Sequence, residues 1–228
     1  MRSKKVVLFI VEGITDEISI GYIITKLNKD NKVFFQIVNK DITSDYSSDS
    51  SNIIKKIYEQ IKCSIEEKHF KKNDIIKIVH LIDMDGVYAS EECIKYKDIK
   101  NVEYKSENIY TNNVDKIKQR NIRKSQILNK LSTIKEISKI PYEVYFFSTN
   151  LEHVLHNIQN AMGSEKQKLA EEFQDKYYDR PEDFIEFINK EEFTVPGSYS
   201  ETWEFIKNDN NSLKRYTNFG LWFKEKQD

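Results

Sequence analysis

Cysteine is scarce in this sequence, and long apolar runs are missing. The 228 residues include two cysteines, Cys63 and Cys93, and neither belongs to a C-x-x-C pattern. This content suits a reducing interior rather than a disulfide scaffold. No apolar stretch reaches the roughly 18 residues that a membrane helix needs, and no signal peptide is recognisable. We therefore expect a cytoplasmic protein without a membrane span.

Net charge is also nearly absent. The chain has 36 Lys and Arg residues against 37 Asp and Glu residues, a formal charge of −1, although 32% of its residues are charged. Any nucleic-acid contact must therefore come from a local basic patch. There is no Walker A motif, so any associated ATPase must be another chain. Length and a 39% hydrophobic content predict one globular domain, alone or with an appendage.

Two carboxylates follow the clearest buried strand of the sequence. Residues 75–82 form a short, β-branched apolar run, and Asp83, Asp85 and Gly86 come directly after it. In α/β sheets, ligands bind and functional residues lie at the carboxyl ends of the strands. Two acids this close repel each other unless a cation holds them, and oxygen ligands suit Mg²⁺. The pattern predicts a magnesium site at Asp83 and Asp85.

A second acidic residue ends an earlier strand. The apolar run Val6–Val11 is typical of a central parallel strand, and Glu12 and Gly13 follow it. Asp16 favours the first turn of the helix that begins there. If the two strands are parallel, Glu12 projects from the same sheet edge as Asp83.

Strands and helices alternate through the first half of the chain. A strand at 33–38, a polar loop at 41–51 and an amphipathic helix at 52–68 precede the strand at 75–82. This order predicts an α/β fold with a doubly wound, mainly parallel sheet flanked by helices.

The second half of the sequence is mostly helical in pattern. A short strand at 108–111, a long helix at 114–140 ended by Pro141, and a strand at 142–147 follow in order. Helical segments at 161–176, 183–190 and 200–208 come after them. We expect a catalytic domain over residues 1–157 and a helical C-terminal extension over residues 158–228.

The long helix carries a basic face opposite its apolar stripe. Phosphate groups are mostly contacted by Lys and Arg, which position a nucleic-acid backbone without reading its sequence. The alternative is a face that is simply solvated. The candidate nucleic-acid-binding residues are Lys116, Lys118, Arg120, Arg123 and Lys124.

The two acidic motifs together resemble a known family. Glu12 and Gly13 after a first strand, with Asp83-x-Asp85-Gly86 after a later one, resemble the Toprim fold of topoisomerases, bacterial primases, OLD-family nucleases and related phage-defence nucleases. The resemblance covers residues 6–153. It implies that Asp83 and Asp85 hold a metal, and that Glu12 binds metal or acts as general base or acid.

A further acid has a counterpart in the same family. OLD-type and similar Toprim enzymes often carry an added acidic residue at a later strand exit, where it binds a second metal. Glu152, which follows the strand at 142–147, matches this position. The alternative is an acid favoured by the helix dipole.

The resemblance implies a Mg²⁺-dependent nuclease, with Mn²⁺ as an alternative ion, acting on DNA or RNA. It also implies a role as a phage-defence effector controlled by a separate ATPase subunit, and it is compatible with an oligomer. Two other interpretations stay open. Asp83-Met-Asp85-Gly86 resembles the first motif of haloacid-dehalogenase-type phosphatases, in which the first Asp is the nucleophile and the second the general acid. A non-catalytic Toprim-like regulatory module is the other.

Overall fold

A mixed, mostly parallel sheet lies between layers of helices in the computed structural model, which describes residues 5–38 and 41–224. The strands are β1 (Val6–Val11), β2 (Lys32–Ile37), β3 (Ile75–Asp83), β4 (Ile94–Tyr96), β5 (Glu103–Tyr104), β6 (Ile109–Thr111), β7 (Glu136–Ile137), β8 (Ile140–Ser148) and β9 (Tyr216–Thr217). The helices are α1 (Ile14–Leu27), α2 (Ile53–Lys68), α3 (Val114–Leu131), α4 (Leu151–His156), α5 (Ser164–Tyr177), α6 (Glu182–Ile188), α7 (Tyr199–Lys207) and α8 (Leu221–Lys224).

The main sheet brings the carboxyl ends of four parallel strands to one edge. Its order is β2-β1-β3-β8-β7, and β9 also pairs with β8. The pairs β1–β2, β1–β3 and β3–β8 are parallel, whereas β7 and β9 run antiparallel to β8. The expected α/β fold with a mainly parallel sheet is therefore confirmed.

Strand β1 lies at the centre of two cores. All six of its residues are buried, and because strand side chains alternate in direction, they enter cores on opposite faces of the sheet. Leu8 packs on the face covered by α2 and α3. Phe9 packs on the face covered by α1 and the C-terminal helices. There its ring and the ring of Trp222 are nearly perpendicular, with centroids 5.1 Å apart.

The C-terminal segment completes the sheet's second core. It is mostly helical, as expected, but it also contributes β9 to the main sheet. Phe219 and Trp222 are buried against the same sheet face as Tyr145 and Phe147. The predicted boundary after residue 157 thus falls between two segments that share a core. The predicted outer limits, residues 1 and 228, lie outside the described residues.

The helix predicted at 114–140 is shorter than expected. Helix α3 ends at Leu131, and residues 136–141 form a tight hairpin in which Ile137 pairs with Ile140. The turn residues Ser138 and Lys139 have positive φ angles of 53° and 66°, as two-residue hairpin turns require. The apolar spacing continued past the end of the helix because Ile137 is buried as a strand residue. Pro141 lies within β8, near its start, where proline is tolerated.

A small second sheet lies between β3 and α3 in the chain. It has the order β4-β6-β5, and its β6 confirms the short strand expected at 108–111.

Among the described helices, none combines the length and the apolar character needed to cross a membrane.

Candidate active site

The predicted acidic residues lie at the ends of neighbouring parallel strands. Glu12 directly follows β1, and Asp83 is the last residue of β3. Glu152 is the second residue of α4, which follows β8. Because β1, β3 and β8 are parallel neighbours, their carboxyl ends share one sheet edge, which is where α/β proteins bind ligands.

Glu12 and Asp83 are in direct contact through the backbone. The amide of Asp83 donates a hydrogen bond to Glu12 Oε1 at 3.1 Å. The amide of Leu151, at the start of α4, donates to Asp83 Oδ1 at 2.9 Å. These bonds fix both carboxylates at the junction of β1, β3 and the β8–α4 turn. The structure therefore places Glu12 and Asp83 together at one sheet edge, and their binding of a shared metal ion with Asp85 stays a prediction.

The two carboxyl groups are held in surroundings that disfavour their charge. Burial raises the pKa of Glu12 well above its usual value, and repulsion from Asp41 and Asp83 adds to this shift. Burial also raises the pKa of Asp83, reinforced by Asp16 and Glu152. Within the described part of the chain, neither Glu12 nor Asp83 takes part in an ion pair. Attraction to Lys124 and Lys166 offsets only part of these shifts in pKa. Two neighbouring carboxylates of this kind favour a bound cation, and their oxygen donors fit Mg²⁺.

Asp85 has a different partner from the one predicted. Lys124 Nζ, on α3, donates to Asp85 Oδ2 and to Asp41 Oδ2, both at 2.8 Å. The Lys124 side chain is 0% exposed. Burial lowers the pKa of Lys124, but attraction to Asp41 and Asp85 outweighs it and raises the pKa above its usual value. The ammonium therefore bridges the exits of β2 and β3.

A second acidic group lies on the other side of Asp83. Asp16 Oδ2 accepts hydrogen bonds from the amides of Glu12 and Gly13, at 3.1 and 2.9 Å. Burial raises the pKa of Asp16 to about 6, and repulsion from Glu152 contributes. Glu152 is buried and pairs with Lys166 Nζ at 3.0 Å. Asp16 thus holds the turn that carries Glu12, while Glu152 is neutralised by a lysine from α5.

These acids form pairs rather than a ready-made metal cluster. No group of three or more acidic, histidine or cysteine side chains in the described ranges has the arrangement of a metal site. Two of the four predicted metal ligands, Asp85 and Glu152, are bound to lysines. A divalent ion would therefore be held first by Glu12 and Asp83. Each further carboxylate must exchange a lysine for the ion.

Two residues of the expected basic face belong to the interior instead. Lys124 is buried in the ion pairs described above, so the prediction that it contacts nucleic acid is wrong. Arg120 donates to the Asp85 carbonyl at 2.7 Å and to the Tyr104 hydroxyl at 2.8 Å. Its guanidinium ties the small sheet to the acidic edge and is not available as an exposed phosphate contact. Lys124 can be buried, and Arg120 half-buried, because each donates to several oxygen acceptors.

The other three basic residues lie nearer the surface. Lys116 is exposed. Lys118 forms an ion pair with Glu91 at 2.9 Å. Arg123 lies over the exposed ring of Tyr46 at 4.8 Å from its centroid. These three keep the predicted role in nucleic-acid binding, but they form scattered positive positions rather than a continuous face.

A cleft of about 190 Å³ opens beside the acidic edge. Asp83 and Asp85 line it on one side, and the small sheet and the loop after α4 line it on the other. The remaining walls include Val102, Tyr104, Asn150, Gln159, Asn160, Met162 and Lys166. A ligand in this cleft would therefore touch both β3 aspartates.

Sequence reasoning did not assign Asp41 or Lys166 to the site, and it placed Lys124 on the basic face rather than among the acids. Asp41 lies four residues after the end of β2, in a loop with several other acidic and serine residues, so it had a weaker strand-exit signal than Glu12 and Asp83. Lys124 falls on the buried stripe of α3, among Asn121, Leu128 and other buried residues, and a lysine at an apolar position signals a buried partner. Lys166 had no such signal, because its pairing with Glu152 depends on how α5 packs.

Comparisons with known proteins found no matching family model, no similar curated protein and no similar solved structure.

Proposed function

We propose that this chain is a Mg²⁺-dependent nuclease that hydrolyses phosphodiester bonds of DNA or RNA on a Toprim-like domain, with Mn²⁺ as an alternative ion. The observation that carries the proposal is the Glu12–Asp83 pair. These carboxylates meet at the ends of adjacent parallel strands, and Asp83 also lines the cleft. Phosphodiester hydrolysis needs the phosphate charge neutralised and a water activated, and a divalent ion bound here would supply both.

The chain's own residues would divide the remaining work. Asp83 is held by the Leu151 amide, so its free oxygen is positioned to bind the ion. The raised pKa of Glu12, caused first by burial, suits a group that takes a proton from water or returns one to the leaving oxygen. Lys166 lines the cleft and can attract the phosphate. Glu152 would join the ion when Lys166 turns to the substrate, and Asp85 would join it by releasing Lys124, which would keep its pairing with Asp41.

The wider role rests on the Toprim resemblance alone. The parallel neighbourhood of β1 and β3 supports that resemblance, because it brings the glutamate and Asp-x-Asp motifs to one edge. On this basis we propose a cytoplasmic phage-defence effector that works with a separate ATPase chain. Assembly into an oligomer is compatible with this role.

A phosphatase of the haloacid-dehalogenase type is the second candidate. One observation favours it. The end of β8, with Ser148, Thr149 and Asn150, resembles the second motif of that family, and the Asp85 amide donates to the Thr149 carbonyl at 2.8 Å, which places this segment beside the Asp-x-Asp motif. In that enzyme Asp83 would be the nucleophile, and Glu12 would have no chemical role.

Matched variants separate the two candidates. Purified protein is incubated with plasmid, single-stranded DNA and tRNA in Mg²⁺ or Mn²⁺, and with p-nitrophenyl phosphate. We expect Glu12→Gln to lower nucleic-acid cleavage by about 100-fold or more, the usual contribution of general acid–base groups. It should also weaken Mn²⁺ binding measured by calorimetry. Glu59→Gln, at an exposed position on α2, is the control and should behave as wild type.

The phosphatase proposal predicts different results for the two kinds of substrate and for the two variants. Hydrolysis of the small ester alone, abolished by Asp83→Asn but retained in Glu12→Gln, would replace the nuclease proposal. Cleavage of nucleic acid that Glu12→Gln does not reduce would refute the assignment of this site.

A further inference from the structure

The cleft beside the acidic edge is closed on one side by a hydrogen-bonded clasp. The Asn160 side chain accepts from the Tyr104 amide and donates to the Tyr104 carbonyl, both at 2.8 Å. Asn160 lies in the loop after α4, and Tyr104 lies in β5 of the small sheet. A side-chain amide that satisfies both backbone groups of one residue acts as an extra strand partner. The clasp therefore joins two segments that both line the cleft.

A second connection holds the same wall against the acidic edge. Arg120 donates to the Tyr104 hydroxyl at 2.8 Å and to the Asp85 carbonyl at 2.7 Å. Tyr104 is thus fixed at its backbone by Asn160 and at its hydroxyl by Arg120. Opening the wall would break the hydrogen bonds between Asn160 and the Tyr104 backbone. The charged Arg120 would also lose the Tyr104 hydroxyl as an acceptor.

The space inside this wall is small. The cleft volume of about 190 Å³ is below the roughly 300–1,000 Å³ of sites that enclose drug-sized ligands. A space of this size is too small to enclose a nucleotide together with its paired partner. Val102 and Met162 offer apolar contact to a base, and contact of this kind does not read the hydrogen-bonding edge that distinguishes one base from another.

We propose that the Asn160–Tyr104 clasp restricts this site to single-stranded nucleic acid, which enters the cleft one nucleotide at a time. The inference rests on the proposed nuclease function and names its substrate class. Asn160 is a positioning residue here: its side chain is engaged with the backbone of Tyr104, and it acts through the wall that Tyr104 forms. A base paired in a duplex would have to leave its stack to reach Asp83, at an energetic cost that a single strand does not bear.

The test measures a ratio of cleavage rates. Labelled oligo(dT) and oligo(U), each alone and annealed to a complementary oligo(dA) strand, are incubated with wild type, Asn160→Ala and Asn112→Ala in Mn²⁺. Asn112 is an exposed asparagine between the small sheet and α3, so its variant is the matched control. A general loss of stability lowers both rates and leaves their ratio unchanged.

We expect wild type and Asn112→Ala to cut the single strands at least about tenfold faster than the duplexes, because unpairing is costly. Asn160→Ala should lower that preference about fivefold or more, since it removes two hydrogen bonds of ordinary net strength. If circular dichroism finds Asn160→Ala unfolded, Tyr104→Phe, which loses only the bond to Arg120, should lower the preference instead.

Two results would overturn the inference while leaving the nuclease intact. These are equal wild-type rates on single strands and duplexes, or an unchanged ratio in the folded clasp variant. Failure of the proposed function looks different: wild type then cuts none of the four substrates and matches Glu12→Gln in every assay.

Discussion

The buried lysine at the acidic edge gives the sharpest prediction about stability. Lys124→Met keeps the length and much of the volume of the side chain but removes the ammonium. Asp41 and Asp85 then lose their shared ion-pair partner, which is 2.8 Å from each. Their repulsion from each other and from Glu12 is left uncompensated. We expect the variant to fold less stably at neutral pH.

The structure sets the size of this effect. Removing one partner of a buried ion pair costs about 3–5 kcal/mol. The Lys124 side chain is 0% exposed, whereas the side chains of Asp41 and Asp85 are 15% and 23% exposed. Water can therefore solvate part of the orphaned charge. We expect a loss of about 3 kcal/mol in the free energy of unfolding at pH 7, the lower end of that range.

The difference in unfolding free energy between wild type and Lys124→Met should depend on pH in a defined direction. Burial tends to raise the pKa of Asp41, but Lys124 and hydrogen bonds from Thr43 outweigh it and hold the pKa well below its usual range. A lowered carboxyl pKa contributes stability above the unfolded value of about 3.9, and this is lost as pH falls through the folded value. The gap between wild type and Lys124→Met should therefore narrow below about pH 4.

Urea unfolding followed by tryptophan fluorescence measures this directly. Trp203 and Trp222 are 2% and 1% exposed, so both report loss of the core. Lys116→Met, at an exposed position on the same helix, is the control and should stay within about 0.5 kcal/mol of wild type. A Lys124→Met variant within about 1 kcal/mol of wild type at pH 7 would refute the bridging role assigned to the ammonium.

Two further predictions concern the acidic edge and the turn behind it. In EDTA, Glu12→Gln should unfold at a higher urea concentration than wild type at pH 8, and at a similar concentration near pH 4. Burial raises the pKa of Glu12 in the folded state. The contribution of Glu12 to stability is therefore fully present below its pKa in the unfolded chain and is lost as pH rises through its pKa in the folded protein. Equal midpoints at pH 8 for wild type, Glu12→Gln and the control Glu59→Gln would contradict the raised pKa. Gly86→Ala should cost about 2 kcal/mol or more, because Gly86 has a φ of +65° and a Cβ there would collide with Leu213. Gly13→Ala, where an added Cβ meets nothing closer than 3.7 Å, should cost much less, and equal losses in the two variants would remove the steric explanation.

The strand pattern of the sequence was enough to locate the acidic edge. Residues 6–11 form a continuous apolar run, and residues 75–82 are apolar except for Lys77 and His80. Such runs are typical of strands buried on both faces, and both strands lie in the interior of the sheet. Glu12 and Asp83 follow those runs directly. Their convergence then required one further fact, that β1 and β3 are parallel neighbours, and the alternation of strands and helices predicted it.

The partners of the acidic residues were decided by tertiary structure. Lys124 is 83 residues from Asp41 and 39 from Asp85 in sequence, and only the crossing of α3 over the sheet edge brings them together. A local sequence pattern indicates only the spacing of buried residues. Because apolar residues continue after Leu131, the pattern of α3 did not show where the helix ends. Pairing between charges depends on the distance between elements, which no local pattern encodes. The sequence therefore determined which residues reach the edge of the sheet, and the packing of helices around that edge determined which charges they meet.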